Sequence, residues 1–554
     1  MRFEILDTDG VARIGRFSVG GKEMTTPNLF PVVSPFSNLV APSELISTFG
    51  AECCFTNAYI LYNSEENRER ALEKGIHKYL GFDKIIATDS GAFQHYMYES
   101  DLEISPAEIE SFQEKLGSDC PVILDIPVQF TDTFEIAESK VRTTIQRAKE
   151  NIRRRQTSEV AWFGPIHGSI YPDLLKQSCE EMSALDFGIH AIGGVVKPMN
   201  DYRFNALVNI MLQTKQWITP GRPLHLFGLG LPSFFSLAVA CGADTFDSAA
   251  YILFANKGRY FTLEGTKHLE DIQEFPCCCP MCQKYTPKEV KSLPKKKQTE
   301  ILARHNLYLS YAELRTIRQA IKEQTLWELV EQRAMAHPSL LQALSELPKY
   351  LPFLEKMEPY WKSKGVKYLT EYSVNRPTLY RHRKYLSKDY FARDVTHFVF
   401  LPQFDEPSYT DSNIQDILTQ MAKCDQELQR NPLAAVQVFI VSNIMGLIPL
   451  DLADRYPYSQ HEGSPQIYPG SPLVRENMRA MEGFLERHKT FIDSLSVFVP
   501  KEYTNQFGEI TEFKRENHII SYLISDYLLH YLPQTQVFTE LDSFLSSYKE
   551  LTHA

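Results

Sequence analysis

Long apolar runs are absent from this sequence of 554 residues. No stretch reaches the ~18 consecutive apolar residues with which a helix crosses a bilayer. The N-terminal stretch MRFEILDTDG carries acids where a secretory signal would carry basic and then apolar residues. We therefore expect no membrane association and a cytoplasmic location.

An excess of basic residues is absent as well. Lys and Arg total 58 against 69 Asp and Glu, which gives a formal net charge of −11. This balance argues against indiscriminate nucleic-acid binding, although it allows a local basic face. Internal repeats and low-complexity segments are also lacking, and an apolar fraction of 43% is that of a globular protein. The length predicts two or three domains.

Short apolar strands alternate with amphipathic helices from residue 28 onward. The strand candidates are Asn28–Val33, Cys53–Asn57, Lys84–Thr88, Pro121–Ile126, Ala161–Ile166, His190–Val196, Pro223–Phe227 and Asp244–Phe246. Helical segments between them include Pro106–Leu116, Lys140–Arg153, Pro172–Met182 and Asn205–Thr214. Eight such units over about 220 residues predict an α/β fold, a (β/α)₈ TIM barrel whose active site lies where the strands end.

Polar and glycine residues follow several of these predicted strands. In chain order they are Asp89 and Phe93 in the run DSGAFQ, then Asp125, His167, Gly193, Gly194, Phe227 and Asp247. Each residue alone is typical of a loop or a helix cap, but together they would face one rim. Asp247 is the first candidate for chemistry, because a carboxylate at the end of a buried strand is well placed to meet a ligand.

A cluster of cysteines follows the predicted barrel in the run CCCPMC. With Cys277, Cys279, Cys282 and His305 as ligands, the spacing is that of a closed Cys₃His zinc site, and Cys278 is the spare thiol. The alternative is a set of buried or redox-active thiols. One Zn²⁺ bound in this way would have no open coordination position, so it would hold structure and would not activate water.

The second half of the chain indicates a smaller α/β domain. Residues Glu313–Leu344 are strongly helical, a stretch around Leu347–Lys364 reads as a boundary, and Thr396–Leu401 and Ala435–Ser442 look like strands. We expect a catalytic domain over residues 1–350, with a zinc subdomain at about 270–310, an accessory domain over 365–495 and a C-terminal extension over 496–554.

Together these motifs resemble the tRNA-guanine transglycosylases, in detail the archaeal, archaeosine-type branch. The likeness rests on DSGAFQ at Asp89, on FDSAAY around Asp247 and on the cysteine cluster. It continues into Leu447–Gln460 (LIPLDLADRYPYSQ), which resembles the family's first accessory domain, and covers roughly residues 1–495. No recognisable RNA-binding PUA domain follows in residues 496–554.

The resemblance implies a base exchange in which guanine in a tRNA is replaced by a 7-deazaguanine, for the archaeal branch 7-cyano-7-deazaguanine. It also implies a homodimer. Carried over to this sequence, the family's roles are nucleophile for Asp247, proton relay for Asp89, grip on the amidine edge of the base for Asp125, stacking for Phe93 and Phe227, and backbone contacts to the base for Gly193 and Gly194. His167 stands where the family commonly has Gln.

Two other functions remain open from the sequence. One is a related enzyme that inserts 7-deazaguanines into DNA, a branch that lacks the RNA-binding appendage. The other is a barrel kept as a non-catalytic subunit of an RNA-modifying complex. The presence of both Asp89 and Asp247 argues against the second. The match over residues 370–495 favours tRNA, whereas the missing appendage favours DNA.

Overall fold

The computed structural model describes residues 1–92, 104–155, 159–392, 395–404, 410–463, 470–504, 508–514 and 518–551. The predicted site residue Phe93 lies outside the described residues. The chain divides into two compact units, Met1–Phe353 and Leu354–Ala554. Among the helices in the described ranges, none is both long and apolar enough to cross a membrane.

The strands of the first unit are short. In chain order they are β1 (Arg2–Asp9), β2 (Ala12–Val19), β3 (Lys22–Thr26), β4 (Asn28–Pro31), β5 (Cys53–Asn57), β6 (Ile85–Asp89), β7 (Cys120–Pro121), β8 (Phe163–Ile166), β9 (Ile189–Ile192), β10 (Leu224–Leu226), β11 (Thr245–Ser248), β12 (Arg259–Thr262) and β13 (Gly265–His268).

Helices alternate with these strands. The α-helices are Pro42–Phe49, Ala58–Tyr62, Glu65–Lys74, Ile76–Leu80, Pro106–Leu116, Phe134–Arg154, Pro172–Ala184, Val196–Asn200, Phe204–Trp217, Pro232–Ala240, Ala250–Asn256, Pro280–Lys284, Pro287–Ser292, Lys295–Glu323, Leu326–Ala334 and Pro338–Leu344, with 3₁₀ turns at Leu269–Asp271 and Leu347–Tyr350. Several begin with a proline in the first turn, where no backbone N–H is needed.

Two parallel sheets contain the eight strands that follow the N-terminal hairpins. One sheet has the order β4-β11-β10-β9-β8, and the other has the order β5-β6-β7. Parallel bridges from Val32 to Phe55 and from Val122 to Phe163 join the two sheets at both ends. The predicted α/β class is therefore confirmed, and every predicted strand has a counterpart.

The core between these strands is closed at one end by the N-terminal sheet. Phe17 and Met24, from the antiparallel sheet β1-β2-β3, share a fully buried cluster with Phe30, Phe55 and Phe163 from the parallel strands. This N-terminal sheet was not predicted from the sequence. The strand predicted at Pro121–Ile126 is shorter than expected, because regular strand is confined to Cys120–Pro121.

The second unit contains one five-stranded sheet of order β17-β16-β15-β19-β22. Its strands are β14 (Val366–Tyr368), β15 (His397–Pro402), β16 (Val436–Ser442), β17 (Gly446–Pro449), β18 (His461–Gly463), β19 (Ser494–Phe498), β20 (Glu502–Thr504), β21 (Ile510–Glu512) and β22 (Thr535–Phe538). The predicted boundary at residue 495 falls inside β19, and β22 from the predicted extension pairs in parallel with it.

The α-helix Leu351–Met357 contains the division between the units. The α-helices after it are Pro377–Lys384, Ser412–Glu427, Pro472–His488, Ile519–Leu523, Leu529–Tyr531 and Leu541–Leu551, with 3₁₀ turns at Glu371–Asn375 and Leu450–Leu452 and π-helical turns at Tyr385–Asp389 and Ile524–Leu528. Phe398, Phe439 and Phe484 pack together on one side of the sheet, and Val399, Ile440 and Phe544 pack on the other.

A buried ion pair fastens the N-terminal sheet to the parallel strands. Arg13 donates through Nε and Nη2 to both oxygens of Asp244 at 2.8 Å, and through Nη2 to Arg222 O at 2.6 Å. Asp244 also accepts from Leu224 N at 2.7 Å. The two side chains are only 6% and 1% exposed, so neither charge can be rehydrated if its partner is lost.

We expect Arg13→Met to lower the free energy of unfolding by about 3–5 kcal/mol, because it leaves the Asp244 charge buried and unpaired. Arg16→Met is the matched control, since Arg16 is half exposed and lies 3.6 Å from Glu4, where a pair contributes less than about 1 kcal/mol. Urea unfolding of the whole chain measures both. Equal, small shifts would show that Arg13 is dispensable.

Candidate active site

A large cavity opens where the parallel strands of the first unit end. Its volume is about 1180 Å³, and it is lined by Asp89, Asp125 and Asp247, with Phe227 and the glycines Gly193 and Gly194. The predicted rim residues in the described ranges, except His167, therefore lie around one space, as expected for carboxyl ends of parallel strands. His167 is not part of the lining and lies behind Asp125.

Asp247 is held by two donors on one of its oxygens. His225 Nε2 lies 3.0 Å from Asp247 Oδ1, and Gly228 N–H donates to the same atom at 2.9 Å. His225 Nδ1 lies 2.9 Å from Thr245 Oγ1. Side chains two residues apart on a strand share a face, so Thr245 and Asp247 of β11 both face His225 of β10, and the Asp247 side chain remains 15% exposed to the cavity.

Asp89 ends strand β6 and is paired across the ladder with Asn57 of β5. Asn57 Nδ2 donates to Asp89 Oδ2 at 2.8 Å, and Gly91 N–H donates to Oδ1 at 3.1 Å. Asn57 also caps the helix Ala58–Tyr62 by accepting from Ile60 N–H at 2.8 Å. The Asn57 side chain therefore caps this helix through its oxygen and orients the Asp89 carboxylate through its nitrogen.

Asp125 forms a short contact with His167. The distance from His167 Nε2 to Asp125 Oδ2 is 2.6 Å, and the two side chains are 1% and 8% exposed. Among the described residues, His167 Nδ1 has no hydrogen-bond partner. Burial lowers the pKa of the nearby Arg147 guanidinium, and the charge of Asp125 opposes this shift. His167, which stands where the family commonly has glutamine, thus contacts Asp125 directly.

The glycines after β9 allow close packing around His167. A Cβ at Gly193 would lie 2.2 Å from His167 Cε1, and Gly193 N–H donates to Ile166 O at 3.1 Å. Gly194 has φ +76°, and a Cβ there would lie 2.3 Å from Val128 O. The amide of Gly193 is thus committed to the neighbouring strand, and its lack of a side chain makes room for the imidazole.

Aromatic side chains form the floor of the cavity. The ring of Phe227 lies 5.0 Å from His225, 5.8 Å from Phe163 and 6.4 Å from Phe55, measured between centroids. Two of these contacts are edge-to-face, which is a favourable aromatic geometry. One predicted stacking residue, Phe227, is therefore supported from below and lines the cavity.

The predicted metal ligands come together outside this cavity. The ligand atoms of Cys277, Cys279, Cys282 and His305 all lie within 4.8 Å of one another. His305 Nδ1 lies 3.5 Å from Cys279 Sγ and 3.4 Å from Cys282 Sγ. Cys278 is exposed, as expected for the spare thiol. The cluster can hold a metal ion.

Neighbouring groups orient the histidine of this cluster. His305 Nε2 lies 2.9 Å from Phe261 O, so the proton on Nε2 leaves Nδ1 free to bind a metal. The ring of Tyr260 stacks on His305 with a centroid distance of 3.6 Å. The next residue, Asn306, donates to Tyr251 O at 3.1 Å and accepts from Phe261 N–H at 2.9 Å, which ties the cluster to the end of the parallel strands.

Two residues of the site were not predicted from the sequence. His225 sits inside the apolar run LHLFG and Asn57 inside CCFTN, where each reads as an ordinary strand residue. A usable signal was available: a histidine or asparagine within an apolar strand must find a polar partner when it is buried. Here those partners are Asp247 and Asp89.

Parallel strands that direct several carboxylates into one cavity are the arrangement of an α/β enzyme. The family model described as TGT, queuine tRNA-ribosyltransferase, matches residues 7–339. The chain belongs to this family of tRNA-guanine transglycosylases, in its archaeal branch, as the sequence motifs predicted.

Similar proteins carry the name tRNA-guanine(15) transglycosylase. That of Methanococcus maripaludis (strain C7) is 38% identical over 520 residues, 93% of this chain and 76% of the relative. That of Methanocaldococcus jannaschii is 38% identical over 517 residues, 92% of this chain and 75% of the relative. That of Thermococcus kodakarensis is 42% identical over 412 residues, 74% of this chain and 70% of the relative.

We expect the purified protein to contain about one equivalent of metal, bound by the Cys₃His set. Cys279→Ser should lose the metal and unfold at a lower temperature, because metal-binding energy at such a site is folding energy. Cys278→Ser is the matched control, since its thiol is exposed. Elemental analysis and thermal melts measure both. Full metal content in Cys279→Ser would show that the ligands are different.

Proposed function

We propose that this chain replaces guanine in a tRNA by 7-cyano-7-deazaguanine through a covalent ribosyl-aspartate intermediate. The observation that carries the proposal is that Asp89, Asp125 and Asp247 line the same cavity as Phe227, in a chain of this family. A carboxylate nucleophile, a second acid and an aromatic surface are what base exchange requires.

The eight parallel strands are proposed to close into a (β/α)₈ barrel around the inner end of this cavity. The bridges Val32 to Phe55 and Val122 to Phe163 support closure, because they continue the parallel pairing between the two sheets on both sides. A closed ring brings the end of β6, with Asp89, and the end of β11, with Asp247, to one rim.

Retention of the ribose configuration calls for two displacements at C1′. Asp247 attacks C1′ first, the C1′–N9 bond breaks, and the departing guanine takes up a proton. The incoming base then loses its N9 proton, attacks C1′ and displaces the carboxylate, by the logic of retaining glycosidases. Asp89 is proposed to supply and receive these protons, because it lines the same cavity and its orientation is fixed by Asn57.

The base is proposed to lie on Phe227, with Phe93 as the second stacking partner and its amidine edge on Asp125. His167 touches Asp125 and lies outside the lining, so it serves to hold the acid rather than to contact the base. Gly194 lines the cavity and is the turn residue left to offer its amide, because Gly193 N–H already donates to Ile166 O.

A polynucleotide is the proposed substrate on the basis of cavity size. About 1180 Å³ exceeds the roughly 300–1,000 Å³ of pockets that enclose one small ligand, so there is room beside the base for its ribose and neighbours. The relatives are named tRNA-guanine(15) transglycosylases, which favours tRNA over DNA. The predicted homodimer remains a prediction.

The metal of the Cys₃His set is proposed to be Zn²⁺ in a structural role. Tetrahedral zinc with bonds of about 2.0–2.3 Å separates its ligand atoms by roughly 3.5–3.8 Å, close to the observed 3.4 and 3.5 Å. Zinc would supply only cross-linking there. Cys279 and Cys282 would fix the segment 277–282 against His305, and no step of the exchange passes through the cluster.

The exchange reaction tests this function directly. Wild-type protein should transfer radiolabelled guanine into bulk tRNA and leave duplex DNA unlabelled. Asp247→Asn should lower the rate by several orders of magnitude and should give no protein–tRNA adduct after denaturation, because the amide is a poor nucleophile. Asp173→Asn, an exposed acid on the helix Pro172–Ala184, is the matched control and should behave as wild type.

If duplex DNA becomes labelled and tRNA does not, the DNA-modifying alternative replaces the proposed function. A normal amount of adduct from Asp247→Asn would remove the nucleophile assignment. Labelling of neither polymer by wild-type protein would contradict the enzyme proposal as a whole.

Two substitutions in the base pocket should weaken base binding in different ways. Stacking is worth roughly 1–3 kcal/mol per base, so Phe227→Ala should weaken base binding by about one to two decades with discrimination largely unchanged. Asp125→Asn places a donor against the N–H groups of the base and should cost on the order of 10⁴-fold, with altered selectivity. Binding of isotope-labelled guanine and 7-cyano-7-deazaguanine measures both. Equal, small losses would mean that Asp125 does not contact the base.

A further inference from the structure

We propose that His225 is a positioning residue that makes Oδ2 the attacking atom of Asp247 and stabilises the carboxylate when it leaves C1′. The inference rests on the proposed function, because it assigns roles within the same covalent exchange. It explains why a fully buried imidazole lies beside an acid that must be first a nucleophile and then a leaving group.

The two oxygens of Asp247 are not equivalent. Oδ1 accepts from Gly228 N–H at 2.9 Å and lies 3.0 Å from His225 Nε2. Among the described residues, no hydrogen bond to Oδ2 is recorded. Two donors on one oxygen withdraw charge from it and fix the plane of the carboxylate, so the lone pairs of Oδ2 are those available for attack.

Thr245 supports the tautomer in which Nε2 of His225 carries the proton. Its Oγ1 lies 2.9 Å from Nδ1, and a hydroxyl can donate there. With Nδ1 as acceptor, the proton of neutral imidazole sits on Nε2 and points at Asp247 Oδ1. The opposite tautomer would set a bare nitrogen against a carboxylate oxygen, so Asp247 and the Thr245 hydroxyl favour the same tautomer, and loss of the hydroxyl leaves the buried Nδ1 without its donor.

A cage of phenylalanine rings keeps water away from this hydrogen bond. The His225 ring lies 5.0 Å from Phe163 and from Phe227, 5.8 Å from Phe30 and 6.2 Å from Phe55, measured between centroids. In such an apolar setting a hydrogen bond to a charged group is stronger than in water.

The hydrogen bonds from His225 and Gly228 to Asp247 oppose the first displacement and favour the second. In the first, the C1′–Oδ2 bond forms while the C1′–N9 pair goes to guanine, and the negative charge on Asp247 is consumed. In the second, the C1′–Oδ2 bond breaks and its electron pair returns to the carboxylate, where Oδ1 is again stabilised by His225 and Gly228. Removal of the His225 donor should therefore slow the second displacement and let the adduct accumulate.

The test compares His225→Asn with His225→Gln in the full-length chain. The Gln amide nitrogen can reach the place of Nε2, whereas the Asn amide is too short to do so. We expect His225→Asn to lower kcat on the order of 10- to 100-fold, the range lost with a hydrogen bond to a charged group. The KM for tRNA should fall with it, because a slower second displacement leaves kcat/KM for tRNA little changed. The fraction of denaturation-stable protein–tRNA adduct at steady state should rise, and His225→Gln should restore most of both values.

Thr245 offers a second pair of variants in case the histidine variants unfold. Thr245→Val loses the hydroxyl and should raise the adduct fraction, whereas Thr245→Ser keeps it and should match wild type. If His225→Asn folds with wild-type kcat and adduct fraction, or if Gln and Asn are equally slow with no extra adduct, His225 only fills the core and the inference is wrong.

Failure of the inference differs from failure of the proposed function. Wild-type exchange with a trapped adduct, together with no effect of the His225 and Thr245 variants, overturns the inference alone. Absence of exchange and of any adduct in wild-type protein overturns both.

Discussion

Each acid at the cavity accepts a hydrogen bond from a side chain on or just after a neighbouring strand, and the site depends on this pairing. Asp89 is held by Asn57, Asp125 by His167 and Asp247 by His225. A partly buried carboxylate without such a donor would be expensive. The pairing is not the same for all three acids: Asp125 and Asp247 each meet an imidazole through one oxygen, whereas both oxygens of Asp89 accept hydrogen bonds, from Asn57 and from Gly91 N–H.

The sequence was sufficient to locate the parallel strands of the first unit and the acids at their ends. Period and turn residues located all eight parallel strands, and the rule that sites form at strand ends selected Asp89, Asp125 and Asp247. The sequence was insufficient for the hydrogen-bond partners of these acids. Asn57 and His225 meet Asp89 and Asp247 only when separate strands lie side by side in the sheet. Strand β7 was predicted too long because the apolar residues 122–124 look like strand whether or not a neighbouring strand pairs with them.

In the second unit, too, the pairing partner of a segment could not be predicted from the sequence. Residues 496–554 look like an extension when they are read along the chain, but Thr535–Phe538 completes the sheet by pairing with Ser494–Phe498. The ring of Phe544 then packs 5.2 Å from Phe498. The pairing makes this segment part of the sheet although Gln536 and Val537 stay exposed, so no local pattern could have indicated it.

The chain of contacts from His305 to the cavity has a pharmacological consequence. Asn306 binds the backbone of Tyr251, and the Tyr251 hydroxyl donates to Val32 O at 3.0 Å, so the helix Ala250–Asn256, which follows Asp247, is anchored to the helix that carries His305. A thiol oxidant or a chelator that opens the Cys₃His cluster would loosen this anchor. Such a compound would inhibit from outside the pocket, and an excess of competing base would not relieve it.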